Sequence, residues 1–145
     1  MSFQNQFTKI TTDANLMETV HHGSAEYPFR YYYENIALFD FKCIDWHWHS
    51  ELEFIYIESG NVVFDIGTVH FELNEGNGIM INSKILHRLQ SSSDAIIPNF
   101  LFQPSFIAPQ DSLIYKKYIN PVISSSLEYL VFQPDIPWQK KALEI

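Results

Sequence analysis

The sequence predicts a mainly β protein: a small antiparallel barrel or jelly roll, followed by one or two short helices. Aromatic residues make up 16% of the chain, and they favour strands over helices. From about Tyr31, short apolar runs alternate with Gly, Asn, Pro and Ser, the residues that mark turns. Ser59-Gly60 and Gly67-Thr68 lie between such runs at spacings that suit tight hairpins. Many short strands joined in this way are typical of a sandwich or barrel.

The chain divides into an arm, a barrel and a tail. Residues 1–26 are polar and mixed, and we interpret them as an N-terminal arm. Residues 27–110 contain the barrel, and residues 111–145 form a tail of helices and a strand. Within the barrel, the apolar runs predict strands at 30–38, 41–44, 52–57, 62–66, 69–73, 78–81, 87–90 and 99–103.

The tail has its own start and stop signals. A helix is predicted to begin at Asp111 or Ser112, either of which can cap it, and to end at Pro121. One more strand is predicted over 127–133, and a second helix begins at Pro137. That helix has no stop signal, so we expect it to continue in a longer protein.

Charge and cysteine content limit the partners of this chain. Nine Lys and Arg against seventeen Asp and Glu give a net charge of −8 and an isoelectric point near 5.1. Because phosphate contacts dominate nucleic-acid binding, no DNA or RNA surface is expected here. The single Cys43 excludes an internal disulfide framework and favours the cytoplasm. The sequence has neither an apolar run that could cross a membrane nor a signal-peptide pattern.

One set of side chains could carry chemistry: His47, His49, Glu53 and His87. The first three have odd numbers, so a single strand would present them on one face. Imidazole and carboxylate are ligands for divalent Zn, Ni, Mn or Fe, and His87 could be a fourth donor from a neighbouring strand. The same groups could instead form hydrogen bonds to a small molecule or to one another at the mouth of a barrel.

The segment "HWHSELEFIYIESG" resembles the first motif of the cupin superfamily. That motif runs H-x-H, three residues, E, six residues, G, and here it is met by His47, His49, Glu53 and Gly60. The resemblance implies a cupin-type double-stranded β-helix, which is a jelly-roll barrel. It also implies that these three donors hold a metal ion where the domain is an enzyme.

The second cupin motif is met in part. Gly76 and His87 match, whereas Asn82, Lys84 and Ser91 stand where the family has Pro, Gly and Asn. All four metal-holding positions are thus occupied by residues of ligand type. The loop before His87 departs from the enzymes.

A longer stretch resembles the N-terminal sensor domain of AraC-type transcription regulators. It runs from "HWHSELEFIYIESG" through "EGNGIMINSKILH", and the later "FLFQPSFIA", "IYKKYINPVISSS" and "WQKKALEI" also fit, so residues 30–145 are covered. The resemblance implies an effector-binding and dimerisation domain that is not an enzyme, with a small-molecule effector that is often a sugar. It further implies a homodimer that contacts DNA only through a C-terminal helix-turn-helix half. The alternative is a stand-alone metal-dependent cupin enzyme.

The sequence also predicts positions for several other side chains. Tyr32 and Ile55 are candidates for lining the pocket, since a phenol offers both stacking area and a hydrogen bond. Trp46 and Trp48 have the opposite parity to the histidine pair, so we expect them to point away from the pocket, under the arm or at a dimer interface. His22, in the polar arm, is expected at the surface. Dimerisation is expected through the tail.

Overall fold

Strands in the described chain form two antiparallel sheets that face each other, which confirms the predicted mainly β jelly roll. The computed structural model describes residues 9–145. One sheet has the order β1 (Phe29–Asn35), β8 (Ile96–Phe102), β3 (Leu52–Tyr56), β6 (Gly78–Ile81) and β9 (Tyr129–Phe132). The other has the order β2 (Cys43–His47), β7 (His87–Gln90), β4 (Asn61–Ile66) and β5 (Val69–Asn74). No helix within the described range is long and apolar enough to cross a membrane.

The strand order is that of a double Greek key. β1-β8-β3-β6 lies against β2-β7-β4-β5, which is the jelly-roll arrangement. β9 comes from the tail and extends the first sheet by pairing antiparallel with β6. Because the chain passes repeatedly from one sheet to the other, side chains at the crossings can reach the space between the sheets.

The core between the sheets follows the alternation of the strands. In β4, Val62, Phe64 and Ile66 are fully buried, whereas Asn61 on the opposite face is exposed. Burying one such apolar side chain stabilises the fold by about 1.5–3 kcal/mol. A second apolar cluster lies on the outer face of the five-stranded sheet and contains Leu52, Met80, Phe102 and Phe132.

Two predicted strands near the start of the barrel have different bounds in the structure. The strand predicted at 30–38 ends at Asn35, whose side-chain oxygen accepts a hydrogen bond from a backbone N–H two residues later and starts a 3-10 turn. The strand predicted at 41–44 begins only at Cys43, because Phe41 has a left-handed φ of 58°.

The first tail helix does not end at Pro121. A π-helical turn at Tyr115–Ile119 leads directly into α1 (Asn120–Ile123). Pro121 lies in the first turn of α1, where a missing backbone N–H is tolerated. The predicted cap is present, since the Ser112 hydroxyl accepts a backbone N–H three residues later at 3.1 Å. The second helix, α2 (Pro137–Leu143), begins at the predicted proline.

Residues 9–22, called the N-terminal segment below, pack against the chain just after β2. Met17 forms a parallel bridge with Trp48, and the Trp48 indole N–H donates to the carbonyl of Asn15 at 2.9 Å. Trp48 therefore lies under the arm, which is one of the positions expected for it. Residues 1–8 of the predicted arm lie outside the described residues.

Candidate metal and ligand site

The side chains of His47, His49, Glu53 and His87 converge between the two sheets. One ligand atom from each lies within 4.8 Å of the other three, and all four side chains are buried. The structure thus brings together the four residues singled out in the sequence. We call them the four-donor cluster.

His47, His49 and Glu53 do not lie on one strand, so the prediction that a single strand presents them on one face was wrong. His47 ends β2, whereas Glu53 lies in β3 of the opposite sheet, and His49 lies in the crossing between them. His87 begins β7 and pairs with His47. The donors therefore approach a common point from both sheets.

Backbone carbonyls fix the orientation of all three rings. Each Nδ1 lies within hydrogen-bond distance of a carbonyl two residues away in the chain, at 2.7 Å for His47, 3.1 Å for His49 and 2.8 Å for His87. A carbonyl can only accept, so Nδ1 carries the proton of the neutral ring. The lone pair is then on Nε2. Such outer hydrogen bonds are typical of histidines that hold metal ions.

The carboxylate of Glu53 faces two of these Nε2 atoms. Its Oε2 lies 3.1 Å from Nε2 of His49 and 3.2 Å from Nε2 of His87. A carboxylate oxygen and a ring lone pair repel each other unless a proton or a cation lies between them. The donor set and its orientation therefore fit a divalent cation held by three imidazoles and one carboxylate.

Burial and mutual contacts set the charges within the four-donor cluster. Burial, reinforced by the neighbouring histidines, holds the pKa of His47 well below its ordinary value. Burial opposes ionisation of Glu53, but its contacts with His49 and His87, which favour the carboxylate once a proton or a cation lies between the atoms, outweigh burial and hold the pKa of this carboxyl well below its usual range. Burial also opposes charging of His49, yet the contact with Glu53 raises the pKa of that ring. A neutral His47 beside an ionised Glu53 has the protonation states that metal binding requires.

A cavity of about 70 Å³ lies beside the four-donor cluster. Apolar side chains of both sheets line it, and the N-terminal segment closes one side. Tyr32 is part of this lining, whereas Ile55 is packed in the core between the sheets and is not. The cavity is partly open to solvent and has room for a few water molecules.

A buried polar network connects the N-terminal segment to this cavity. The Tyr32 hydroxyl and Nδ1 of His22 are hydrogen-bonded at 2.6 Å, and burial raises the pKa of Tyr32 to about 12. Nε2 of His22 lies 3.0 Å from Oε1 of Glu18. His22 is buried, so its expected surface position was wrong. Sequence reasoning missed His22 and Glu18 because nothing in their local sequence indicates that this segment folds over the barrel.

Glu34 and Asn99 complete the polar side of the cavity, and neither was singled out in the sequence. Asn99 Nδ2 donates to Oε2 of Glu34 at 3.3 Å. Burial, reinforced by the negative charge of Glu53, raises the pKa of Glu34 to about 7. The alternation of β1 and β8 does place both residues on an inward face, which is the signal that could have found them.

Comparison with known proteins gives a family match over the middle of the chain. Residues 39–108 match the AraC-like ligand binding domain. The chain is 32% identical over 135 residues to an uncharacterised HTH-type transcriptional regulator, YdeC, from Bacillus subtilis (strain 168). This alignment covers 91% of the chain and 46% of the relative, so the chain spans about half the length of that protein.

Solved structures with a similar outline include two cupin proteins. An RmlC-like cupin from Shewanella frigidimarina NCIMB 400 has a TM-score of 0.46 and 15% identity, over 51% of this chain and 65% of that one. Oxalate decarboxylase from Bacillus subtilis, described with Mn(II) centres, has a TM-score of 0.40 and 21% identity, over 42% and 18% of the two chains. Both scores are too low to bear on function.

The family match covers the part of the molecule that contains most of the two-sheet barrel and the inward histidines. Residues 39–108 include β2 to β8 and all members of the four-donor cluster. Residues 39–108 are therefore similar to an AraC-like ligand-binding domain, and most of the chain is similar to part of an HTH-type transcriptional regulator.

Proposed function

We propose that this domain is the sensor of a transcription regulator and that its effector binds in the cavity beside the four-donor cluster. The observation that carries the proposal is the cavity wall, where Tyr32, Glu34 and Asn99 offer both donors and acceptors over an apolar floor. Small-molecule sites have this composition. A ligand rich in hydroxyl groups, such as a sugar, suits these groups.

Effector binding requires the cavity to widen. Ligand sites usually measure about 300–1,000 Å³, much more than the volume of this cavity, which is about 70 Å³. The N-terminal segment forms one wall of the cavity and carries no long strand or helix, so a larger effector would have to displace it. The effector would then favour the open form, as a ligand does when it binds one state better than another.

The rest of the regulator is proposed by analogy with its relative. DNA would be bound by a helix-turn-helix half outside this chain, because the chain itself carries a net charge of −8. The domain would sense its effector in the cytoplasm without catalysing a reaction.

A homodimer through the tail is supported by exposed apolar side chains there. Leu113, Ile114, Tyr118 and Trp138 are all exposed. Light scattering should give twice the 17.0 kDa of one chain. Leu113→Asp should shift the mass to that of one chain, whereas Leu38→Asp, which alters an exposed leucine outside the tail, should not. A monomeric wild type would exclude this dimer.

Metal binding is a second proposal, and it is favoured by the geometry of the four-donor cluster. His47, His49, Glu53 and His87 would hold Zn, Ni, Mn or Fe. Such an ion would act as a Lewis acid towards an oxygen of the effector. In the alternative of a metal-dependent cupin enzyme, it would act on an oxygen of the substrate.

Ligand screening separates the sensor from the enzyme. Thermal unfolding with a panel of monosaccharides and sugar acids should reveal a compound that raises the melting temperature. Tyr32→Phe should weaken its binding about tenfold through loss of the hydroxyl. Tyr56→Phe, on the opposite face of the sheet, should not. Consumption of the compound by the metal-loaded protein would favour the enzyme instead.

A further inference from the structure

The four-donor cluster leaves a divalent ion without full charge compensation. Three neutral imidazoles and the single carboxylate of Glu53 give one negative charge against two positive charges. The site is buried, and a buried charge is costly unless a partner offsets it. A second carboxylate close to the cluster would remove this imbalance.

Glu18 is a carboxylate in the required position. Its side chain is buried, and its Oε2 lies 3.9 Å from Nε2 of His47. Donors bind such ions at about 2.0–2.2 Å, so two donors on one ion lie at most about 4.4 Å apart, and the widest pair of the four-donor cluster, within 4.8 Å, would close slightly around an ion. The separation between Glu18 and His47 is within that limit.

Backbone hydrogen bonds hold Glu18 beside the cluster. Trp48, the residue between His47 and His49, donates its N–H to the carbonyl of Leu16 at 3.0 Å. The carbonyl of Trp48 accepts the N–H of Glu18 at 2.9 Å. Both polar backbone groups of Trp48 are thus bonded to the N-terminal segment. The position of Glu18 is therefore fixed relative to both histidines.

His22 lies beside the other oxygen of Glu18. Its Nε2 lies 3.0 Å from Oε1, which is close enough for an ion pair, although the direction does not meet the geometry of a hydrogen bond. Nδ1 of the same ring bonds to the Tyr32 hydroxyl. Nε2 of His22 is buried and has no aligned partner. A small rotation of the Glu18 carboxylate would allow the two groups to form a hydrogen bond.

We propose that Glu18 is a fifth donor of the metal site, so that an ion held by the four-donor cluster also holds the N-terminal segment in place. This inference rests on the proposed metal site. It assigns a binding role to a residue outside the part of the chain that matches the family. Metal binding and docking of the segment are then linked, and each strengthens the other by the same free energy.

Zinc titration of the metal-free chain tests the role of Glu18. By calorimetry at pH 7, Glu18→Gln should bind Zn²⁺ about 10–100 times more weakly than the wild type. Glu18→Asp, which keeps the carboxylate, should lie between them. Glu26→Gln makes the same change at an exposed position close to the segment and should bind as the wild type does.

Hydrogen exchange provides the readout that a merely structural role would not change. Zn²⁺ should slow amide exchange at residues 12–18 in the wild type and in Glu26→Gln, but not in Glu18→Gln. Equal zinc affinity of Glu18→Gln and wild type, or equal zinc protection of the segment in both, would overturn the proposal and leave the four-donor site standing. A wild type that does not bind zinc would overturn both.

Discussion

His47 and His87 are paired across β2 and β7, and the centres of their rings are 4.3 Å apart. Both rings bond through Nδ1 to the carbonyl two residues earlier in the chain, so both direct Nε2 towards the four-donor cluster. The two rings therefore present their Nε2 atoms to one point, as two ligands of a single cation do.

Removing one of these rings should abolish stoichiometric metal binding. His87→Ala takes away the donor that comes from β7 and leaves three of the four cluster side chains. Elemental analysis after loading with zinc and dialysis should find about one ion for each wild-type chain and much less for the variant. His70→Ala is the matched control, because His70 is exposed and bonds to Asp65 outside the cluster. Equal metal content in all three proteins would contradict this prediction.

Glu34 should make the fold less stable as the pH rises. Its pKa of about 7 in the folded chain is above the ordinary 4.5, so its contribution is fully present below about pH 4.5 and is lost as the pH rises through 7. The change from pH 5 to pH 8 is up to about 3 kcal/mol. Glu34→Gln lacks this titration, so its stability relative to the wild type should increase over that range. Urea unfolding at both pH values measures the difference, and parallel pH profiles would exclude a raised pKa.

Replacing a buried and an exposed phenylalanine should show how much core packing contributes to the free energy of unfolding. Phe64 is 0% exposed between the sheets, whereas Phe41 is 98% exposed in a turn. Phe64→Ala should lower the free energy of unfolding by about 3–5 kcal/mol, because it leaves a cavity in the core. Phe41→Ala should change it by no more than about 0.5 kcal/mol. Chemical denaturation of both variants measures these values, and a similar cost for both would mean that Phe41 is covered in solution.

This chain alone should not bind duplex DNA. Its net charge of −8 repels phosphate, and counterion release would contribute little to binding. A gel-shift assay at moderate salt should show free DNA at micromolar protein, whatever the sequence of the duplex. Salt-dependent binding would place a DNA-contacting surface within these residues.

The positions of the strands along the chain were predictable because they depend on short-range signals. Turn residues such as Gly60 and Gly67 fall where the backbone needs a positive φ, and the alternation in β4 matches its burial. The site was predictable only in its membership. Parity describes one strand, so it could not indicate that the chain changes sheets between His47 and Glu53.

The buried polar network that connects the N-terminal segment to the cavity could not be predicted in the same way. Glu18 and His22 lie in a segment without periodicity, and their positions depend on pairing with Trp48. Contacts between residues so far apart in the chain leave no local pattern. The structure was needed to place them.

The pairing of β9 with β6 determines how far the chain can be shortened. The family match ends at residue 108, yet Ile81 of β6 pairs with Glu53 on one side and with Tyr129 on the other. A protein cut at residue 108 would expose the backbone of β6 as an open sheet edge. That edge would lie beside Leu52, Met80 and Phe102 of the apolar cluster on the outer face. Open apolar edges promote aggregation. We therefore expect the smallest stable unit to include β9, and expression trials should keep it even though the family match stops earlier.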